Sequence, residues 1–347
     1  MEQGKVSFII VNWNGIKTVA ECLDSVLGQS YKYYEIIFVD NHSTDGSAQL
    51  VQKKYRPDKF ISLGRNYGYA EANNIGLRQA KGEYLALVNN DAVLDKNWLL
   101  KAVGVLEEDK SQVVGSVASK IINYHQPTLI DTAGVEYFGF GAGWDYKGLP
   151  ADSKEVNQRK EVFGACATAA LYRKQLIDEL GLFDPRYFIY FEDTELAFKL
   201  RLFGYKCIYE PEAVCYHYGG VKQDKNSKFY IQCGRKNIEF LFFKNMQRNL
   251  LAKYLWSHCL YESALFIFFL LAGKGIPFIK AKIQFVTNLG YILQERKKLK
   301  LALIKADKFK EVSRVEQYFL PSHLRWRGRL DKLKKAIQTY KTYMNLD

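Results

Sequence analysis

The chain has 347 residues, of which 48% are hydrophobic and 15% aromatic, which excludes a disordered or low-complexity protein and allows one large domain plus an appendage. Its net charge is +13, but residues 1–220 carry 24 Lys and Arg against 28 Asp and Glu, whereas residues 221–347 carry 26 against 9. The basic excess therefore lies in the last third, marks a boundary near Gly220 and calls for an anionic partner there. The six cysteines contain no Cys-x-x-Cys pair and predict buried, reduced thiols of a cytosolic protein. Met1–Lys5 carries no basic segment leading into an apolar run, so no signal peptide is expected.

In chain order, Lys5–Asn12 is an apolar, β-branched strand ending in Asn12. Val19, Cys22, Leu23, Val26 and Leu27 then recur at helical spacing up to Gly28. Tyr34–Val39 is the next strand and ends in Asp40, followed by the polar turn Asn41–Gly46 and a helix. Phe60–Leu63 is a third strand, followed by Gly64–Gly68 with Asn66 in it, and then a helix to about Ala80. Tyr84–Val88 is a fully apolar central strand that stops at Asn89, Asn90 and Asp91. This alternation predicts an α/β fold with a mostly parallel sheet covered on both faces. Each strand releases a polar residue at its carboxyl end, where such sheets place a ligand crevice. Taken alone, Asn89–Asp91 reads as a strand-ending turn, Asp40 as a turn cap and Asn66 as a left-handed turn residue. No Gly-x-Gly-x-x-Gly or P-loop pattern opens a helix, which disfavours a dinucleotide fold or a P-loop nucleotidase.

Val6–Asn14 together with Val39–Gly46 resembles the start of the family 2 inverting glycosyltransferases of GT-A fold. Arg65–Ala70 with Asn73-Asn74 resembles that family's Asn-x-Gly-Phe-Ala segment, and Asn89-Asn90-Asp91 stands where the family carries an Asp-x-Asp-type motif. The resemblance runs from about residue 5 to residue 245 and is nearest to a bacterial rhamnosyltransferase-like branch. It implies that Asp40 accepts hydrogen bonds from the nucleobase or ribose, that Asn12, Asn66, Asn89 and Asn90 line the nucleotide-sugar pocket, and that Asp91 holds Mg²⁺ or Mn²⁺. The two amides replace carboxylates found in many members, which implies weaker metal binding or an ion carried in largely by the diphosphate.

Farther on, Val113–Ile122 is a strand, and Asp131–Leu149 is a Gly- and aromatic-rich stretch that reads equally as a sugar-stacking loop or as a loop packed by its own rings. Val162–Tyr172 reads as one small-residue strand, with Gly164 and Ala165 leaving room for a donor sugar. Phe183-Asp184-Pro185, Tyr187-Phe188 and Glu192-Asp193 precede an apolar stripe of Leu196, Leu200 and Phe203. A carboxylate at that helix start is a natural cap. The same run also resembles the family's Glu-Asp segment, which implies Asp193 as the general base, with Glu192 in reserve. His217, at a strand end 24 residues past Asp193, stands where the family places a His on the metal or diphosphate. Zinc is not implied, for want of a His/Cys ligand set.

Phe229–Leu251 reads as one amphipathic helix. Leu255–Ala272 is apolar but holds His258 and Glu262, and its unbroken part, Ser263–Ala272, is short for a membrane span. Basic residues alternating with apolar faces suit an interfacial helix on anionic lipid, or a helical subdomain with a solvated basic surface. Arg325–Arg329 contains a Trp flanked by arginines, but no nucleic-acid-binding motif accompanies it, so no nucleic-acid partner is expected. The expectations are a catalytic domain over 1–225, a basic helical region over 226–347 that touches the inner face of the cell membrane, a nucleoside diphosphate sugar donor, and a glycan or lipid-linked acceptor. The branch implies dTDP-rhamnose as donor; the alternatives are a uridine diphosphate hexose as donor, or a non-catalytic glycan- or nucleic-acid-binding protein on a transferase scaffold, against which the presence of both Asp91 and Asp193 argues.

Overall fold

A computed structural model describes residues 1–141, 143–145, 149–219, 227–308 and 315–319. The Arg325–Arg329 run, Tyr146 and the 220–226 stretch holding the expected boundary lie outside these residues. The chain divides into two compact units, one of 1–136 with 145–221, the other of 137–144 with 222–347.

The first unit is a twisted sheet between two helical layers. Its strands are β1 (Glu2–Asn12), β2 (Tyr34–Asp40), β3 (Lys59–Ser62), β4 (Gly82–Asn89), β5 (Ala92–Leu94), β6 (Val114–Asn123) and β7 (Ile130–Thr132). After the short strands β8 (Val135–Tyr137) and β9 (Gly143–Asp145) come β10 (Lys160–Val162), β11 (Ala169–Arg173) and β12 (Lys206–His217). The order across the sheet is β10-β12-β6-β11-β4-β1-β2-β3, with β5 on β12 and β7 on β6. β1, β2, β3 and β4 run parallel, and β11 is antiparallel to both β4 and β6.

Alternation along β1 explains the two layers. Phe8 and Ile10 pack towards α1 (Val19–Leu27) and α4 (Trp98–Glu108), along with Val51 of α2 (Ser47–Lys54). Ile9 and Val11 pack towards α3 (Gly68–Leu77), α5 (Lys174–Leu180) and α6 (Glu192–Leu202). A strand buried on both faces needs apolar residues at every position, which is why β4 reads as a continuous apolar run.

Two expected elements come apart. Val162–Tyr172 is not one strand: it divides into the end of β10 and β11, and Gly164 between them lies against α6. A Cβ on Gly164 would come within 2.2 Å of the Ala197 methyl, so this glycine permits helix packing rather than leaving space for a sugar. Phe229–Leu251 is likewise two helices, α7 (Lys228–Asn245) and α8 (Arg248–Leu271). Met246 and Gln247 between them are extended, Met246 is fully buried, and the Asn245 amide donates to the Leu241 carbonyl at 3.1 Å. Asn competing for helix carbonyls and burial of Met246 end the helix without Gly or Pro.

The second unit is helical, with α7, α8, α9 (Gly275–Thr287) and α10 (Leu289–Lys305). Residues 137–141 of the aromatic stretch belong to it by packing. Phe140 lies 4.8 Å from Tyr261, Tyr137 lies 5.0 Å from Phe319, and Gly139 sits flat on Tyr254. These rings serve the helical core rather than an open stacking face. His258 and Glu262 of α8 also turn inward: His258 meets the Phe140 carbonyl and Glu239, and Glu262 meets Arg235 and Lys282.

Candidate active site

The carboxyl ends of β1, β2 and β4 are tied together by side-chain amides. Asn12, fully buried at the end of β1, is the hub. Its Nδ2 lies 3.1 Å from Asp40 Oδ1, 3.0 Å from Ser43 Oγ and 2.8 Å from Ser47 Oγ, and its Oδ1 accepts from Asn90 Nδ2 at 2.7 Å. Asp40 also accepts from the Ser43 amide at 3.1 Å. A buried amide must have its hydrogen bonds met, so this network sets the rotamers of Asp40 and Asn90. The Asn41 amide donates to Asn66 Oδ1 at 2.9 Å, and Asn66 Oδ1 also accepts from the Gly68 amide at 2.8 Å. Asn66 thus holds the turn into α3 and the loop after β2.

Two glycines are required by this geometry. A Cβ on Gly15 would approach Asn90 Nδ2 to 2.2 Å and Asn12 Oδ1 to 2.4 Å, so the first loop passes beside the hub only without a side chain. Gly68 has φ +83° and faces the Phe188 carbonyl, where a Cβ would come within 2.6 Å.

Past β4, Asp91 is nearly buried and faces His217, the last residue of β12. His217 Nε2 lies 3.4 Å from Asp91 Oδ1, and His217 Nδ1 lies 2.6 Å from Asp131 Oδ2. Pairing of β5 with β12 sets Ala92 opposite His217, and pairing of β7 with β6 carries Asp131 to the same place. Burial works against charge on the imidazole, but the hydrogen bonds and charges of Asp131 and Asp91 lift its pKa to about 9.

The ladder between β4 and β11 runs one step beyond the strands, with the Asn89 amide donating to the Thr168 carbonyl at 2.9 Å. The next amide, of Ala167, donates to Asp193 Oδ2 at 3.1 Å. Asp193 Oδ1 accepts from the Thr194 amide at 2.6 Å, the first turn of α6. Asp193 and the Asn89–Asp91 turn are therefore fastened to one stretch of backbone at one end of the sheet. The approach to α6 is strained: Phe188, Tyr190 and Phe191 have φ of 64°, 75° and 68°. Such conformations in bulky residues persist only where surrounding contacts impose them, and they cluster at functional sites. Here the Phe188 carbonyl accepts from the Ala70 amide at 3.1 Å.

Glu192 is buried beside Asp193, and its Oε2 has no hydrogen-bond partner among the described residues. Burial, and then the neighbouring Asp193 charge, push its pKa up to about 8. Folded Glu192 thus holds its proton where the unfolded chain has lost it, so its contribution to stability is full below about pH 4.5 and fades as pH rises to about 8. Glu192→Gln is expected to remove that slope. The variant should gain on the order of 3 kcal/mol over the parent between pH 4.5 and pH 8. Denaturant melts at several pH values read this directly, and parallel curves would show that Glu192 is not held neutral.

The structure brings Asn12, Asp40 and Asn90 into one network, joins Asn66 to Asn41 beside it, and sets Asp91 on His217. Asn89 Oδ1 is buried without a partner among the described residues. Sequence reasoning missed Asp131, Asn41, Ser43, Ser47 and the Ala167 amide. The polar Asn41–Gly46 turn signalled Asn41 and Ser43, whereas nothing local marks Asp131, which reaches His217 across 86 residues.

Residues 7–181 match the family described as Glycosyl transferase family 2. The poly-β-1,6-N-acetyl-D-glucosamine synthase of Staphylococcus epidermidis is 27% identical over 219 residues, covering 61% of this chain and 49% of that protein. The chain thus spans about half the length of the curated relatives it matches. Among solved structures, S. aureus TarS 1–349 in complex with UDP aligns at TM-score 0.55 and 19% identity, covering 90% of this chain and 91% of that one. GalNAc-T7 with UDP, GalNAc and Mn²⁺ aligns at TM-score 0.57 and 19% identity, covering 70% and 48%. These likenesses are of fold, and the fold is GT-A-like. A family match across half the chain, on a sheet whose carboxyl ends gather the polar residues described above, leaves one conclusion: the chain belongs to glycosyl transferase family 2.

Proposed function

We propose that the chain moves a sugar from a nucleoside diphosphate to a hydroxyl of a growing glycan, by single displacement with inversion at the anomeric carbon. The observation that carries this reading is the fastening of Asp193 and the Asn89–Asp91 turn to the same Ala167–Thr168 backbone. It supports a base for the acceptor and a seat for the diphosphate at one edge of the sheet.

Asp193 takes the acceptor proton as the acceptor oxygen bonds to the anomeric carbon and the bond to the diphosphate breaks. Two backbone amides hold its carboxylate in one orientation. Glu192 remains protonated at neutral pH, which supports Asp193 rather than Glu192 as the base. Asp40 binds the nucleobase or ribose, positioned by Asn12. Asn66 shapes that pocket through Asn41, and Asn90 through Asn12. Asn89 Oδ1, an acceptor without a partner among the described residues, suits a sugar hydroxyl.

Among the described residues no group of three or more His, Cys, Asp or Glu side chains is arranged to hold a metal ion. Two donors nevertheless fit Mg²⁺ or Mn²⁺ once the ion displaces the proton that Asp131 and Asp91 hold on the imidazole: Asp91 Oδ1 and His217 Nε2 are 3.4 Å apart, near the roughly 3 Å between adjacent ligands at octahedral distances. Asp131 on Nδ1 turns Nε2 towards Asp91, as carboxylates behind metal-bound histidines do. The remaining positions suit diphosphate oxygens and water. When bound, the ion supplies positive charge to the departing diphosphate.

The names of the relatives support a uridine diphosphate N-acetylhexosamine as donor, and the rhamnosyltransferase-like resemblance supports dTDP-rhamnose. A thermal-shift and turnover screen of both donor classes, with and without Mn²⁺, tests the reading. Stabilisation and nucleoside diphosphate release with at least one of them is expected. No response to any nucleoside diphosphate sugar would overturn it. The basic C-terminal region is proposed to contact the inner face of the cell membrane, where a lipid-linked acceptor resides.

A further inference from the structure

We infer that the outward face of α8 and α9 is a docking surface for an anionic bilayer leaflet; this specifies, and rests on, the membrane contact proposed above, but it is independent of the sugar chemistry. On α8, Trp256, Leu260, Ile267 and Leu271 recur at spacings that fall on one helical face, and all are exposed, Trp256 at 74% and Leu271 at 84%. On α9, Ile276, Ile279, Ile283 and Val286 form a second exposed stripe, Ile276 at 70%. A groove of about 410 Å³ lined by Phe266, Phe278, Ile279, Ile283 and Val286 joins the two helices. Apolar surface this continuous is covered by something in the working protein.

Charge identifies the cover. Between Arg248 and Lys308 there are eleven Lys and Arg against three Asp and Glu, and one of those acids, Glu262, is buried against Arg235 and Lys282. Two copies of such a face repel each other, whereas an anionic leaflet attracts it, with Lys274 and Lys280 beside the aliphatic stripes. The direction of the polar residues identifies the mode of contact. α8 is long and apolar enough to cross a membrane: its most apolar stretch has a mean hydropathy of 1.4 and is 22% buried. Its polar residues His258 and Glu262 are nevertheless bound to protein partners on the inner side. A helix with one face fastened to protein and the other apolar and bare lies in the interface. Trp256 suits the headgroup level.

The test is flotation of the full chain with phosphatidylcholine vesicles containing or lacking 30% phosphatidylglycerol. Binding at least tenfold tighter to the anionic vesicles is expected, weakening as salt rises. Leu271→Glu with Ile276→Glu, at positions exposed enough to leave the fold intact, should cut that binding tenfold or more. Lys274→Gln with Lys280→Gln should narrow the preference for anionic over neutral vesicles. Absence of flotation by the parent, equal flotation of the Glu variant, or a parent dimer that the Glu variant dissolves would overturn the inference. Donor turnover is measured on the same samples. In the parent, turnover absent with flotation present strikes the transferase reading alone, and flotation absent with turnover present strikes the docking face alone.

Discussion

Asp193→Asn is expected to lower sugar transfer by about 10²–10⁴-fold while leaving the dissociation constant for the donor nearly unchanged. The acceptor hydroxyl needs a proton acceptor as its oxygen attacks, and an amide cannot supply one. Asn still fills the space beside Ala167 and Thr194, whose amides hold the carboxylate at 3.1 Å and 2.6 Å, so the first turn of α6 should persist. Glu192→Gln is the matched control. It alters a neighbouring carboxyl that is already neutral at pH 7, and turnover should stay within a few-fold of the parent. Steady-state rates with donor binding measured by calorimetry decide the matter. An Asp193→Asn enzyme within threefold of the parent would remove Asp193 from the chemistry.

The second large effect concerns the metal. Asp91→Ala is expected to abolish the bound Mn²⁺ signal in a spin-resonance titration and to lower turnover by about 10²–10³-fold, the loss of several kcal/mol of charge stabilisation. Asp131→Asn should act more mildly. It leaves both proposed donors in place but loosens the imidazole, so Mn²⁺ affinity should fall about 10–100-fold. Excess Mn²⁺ should restore its turnover, which a merely structural defect would not allow. Mn²⁺ titrations indistinguishable between Asp131→Asn and the parent would show that the 2.6 Å contact with His217 does not orient a ligand.

Local order was the legible part. The alternation of apolar strands and amphipathic helices over the first ninety or so residues is written in short windows, because burial on both faces demands apolar residues at every strand position. The polar strand ends at Asn12, Asp40 and Asn89–Asp91 were legible for the same reason: they are where burial stops. The acidic start of α6 was visible from Glu192 and Asp193 beside its apolar stripe. Less legible was the difference between an element and its interruption. Gly164 looked like space for a ligand and is space for Ala197, because only the packing of α6 reveals which neighbour needs the missing Cβ. The rings of 137–140 read equally as stacking faces or as packing groups, and only the helical unit they fill around Tyr254 and Tyr261 shows which.

The residue order by itself determined that strands would form, that their carboxyl ends would be polar, and that the last third would be basic. These are properties of neighbours along the chain. Which distant groups would meet was decided by tertiary structure alone. Strand register sets Asp131 on the far side of His217 from Asp91, the interrupted β10–β11 segment offers the Ala167 amide to Asp193, and the inward turn of His258 and Glu262 leaves α8 apolar outside. Contacts across tens of residues depend on how sheets pair and helices pack, and no short stretch of sequence carries that information.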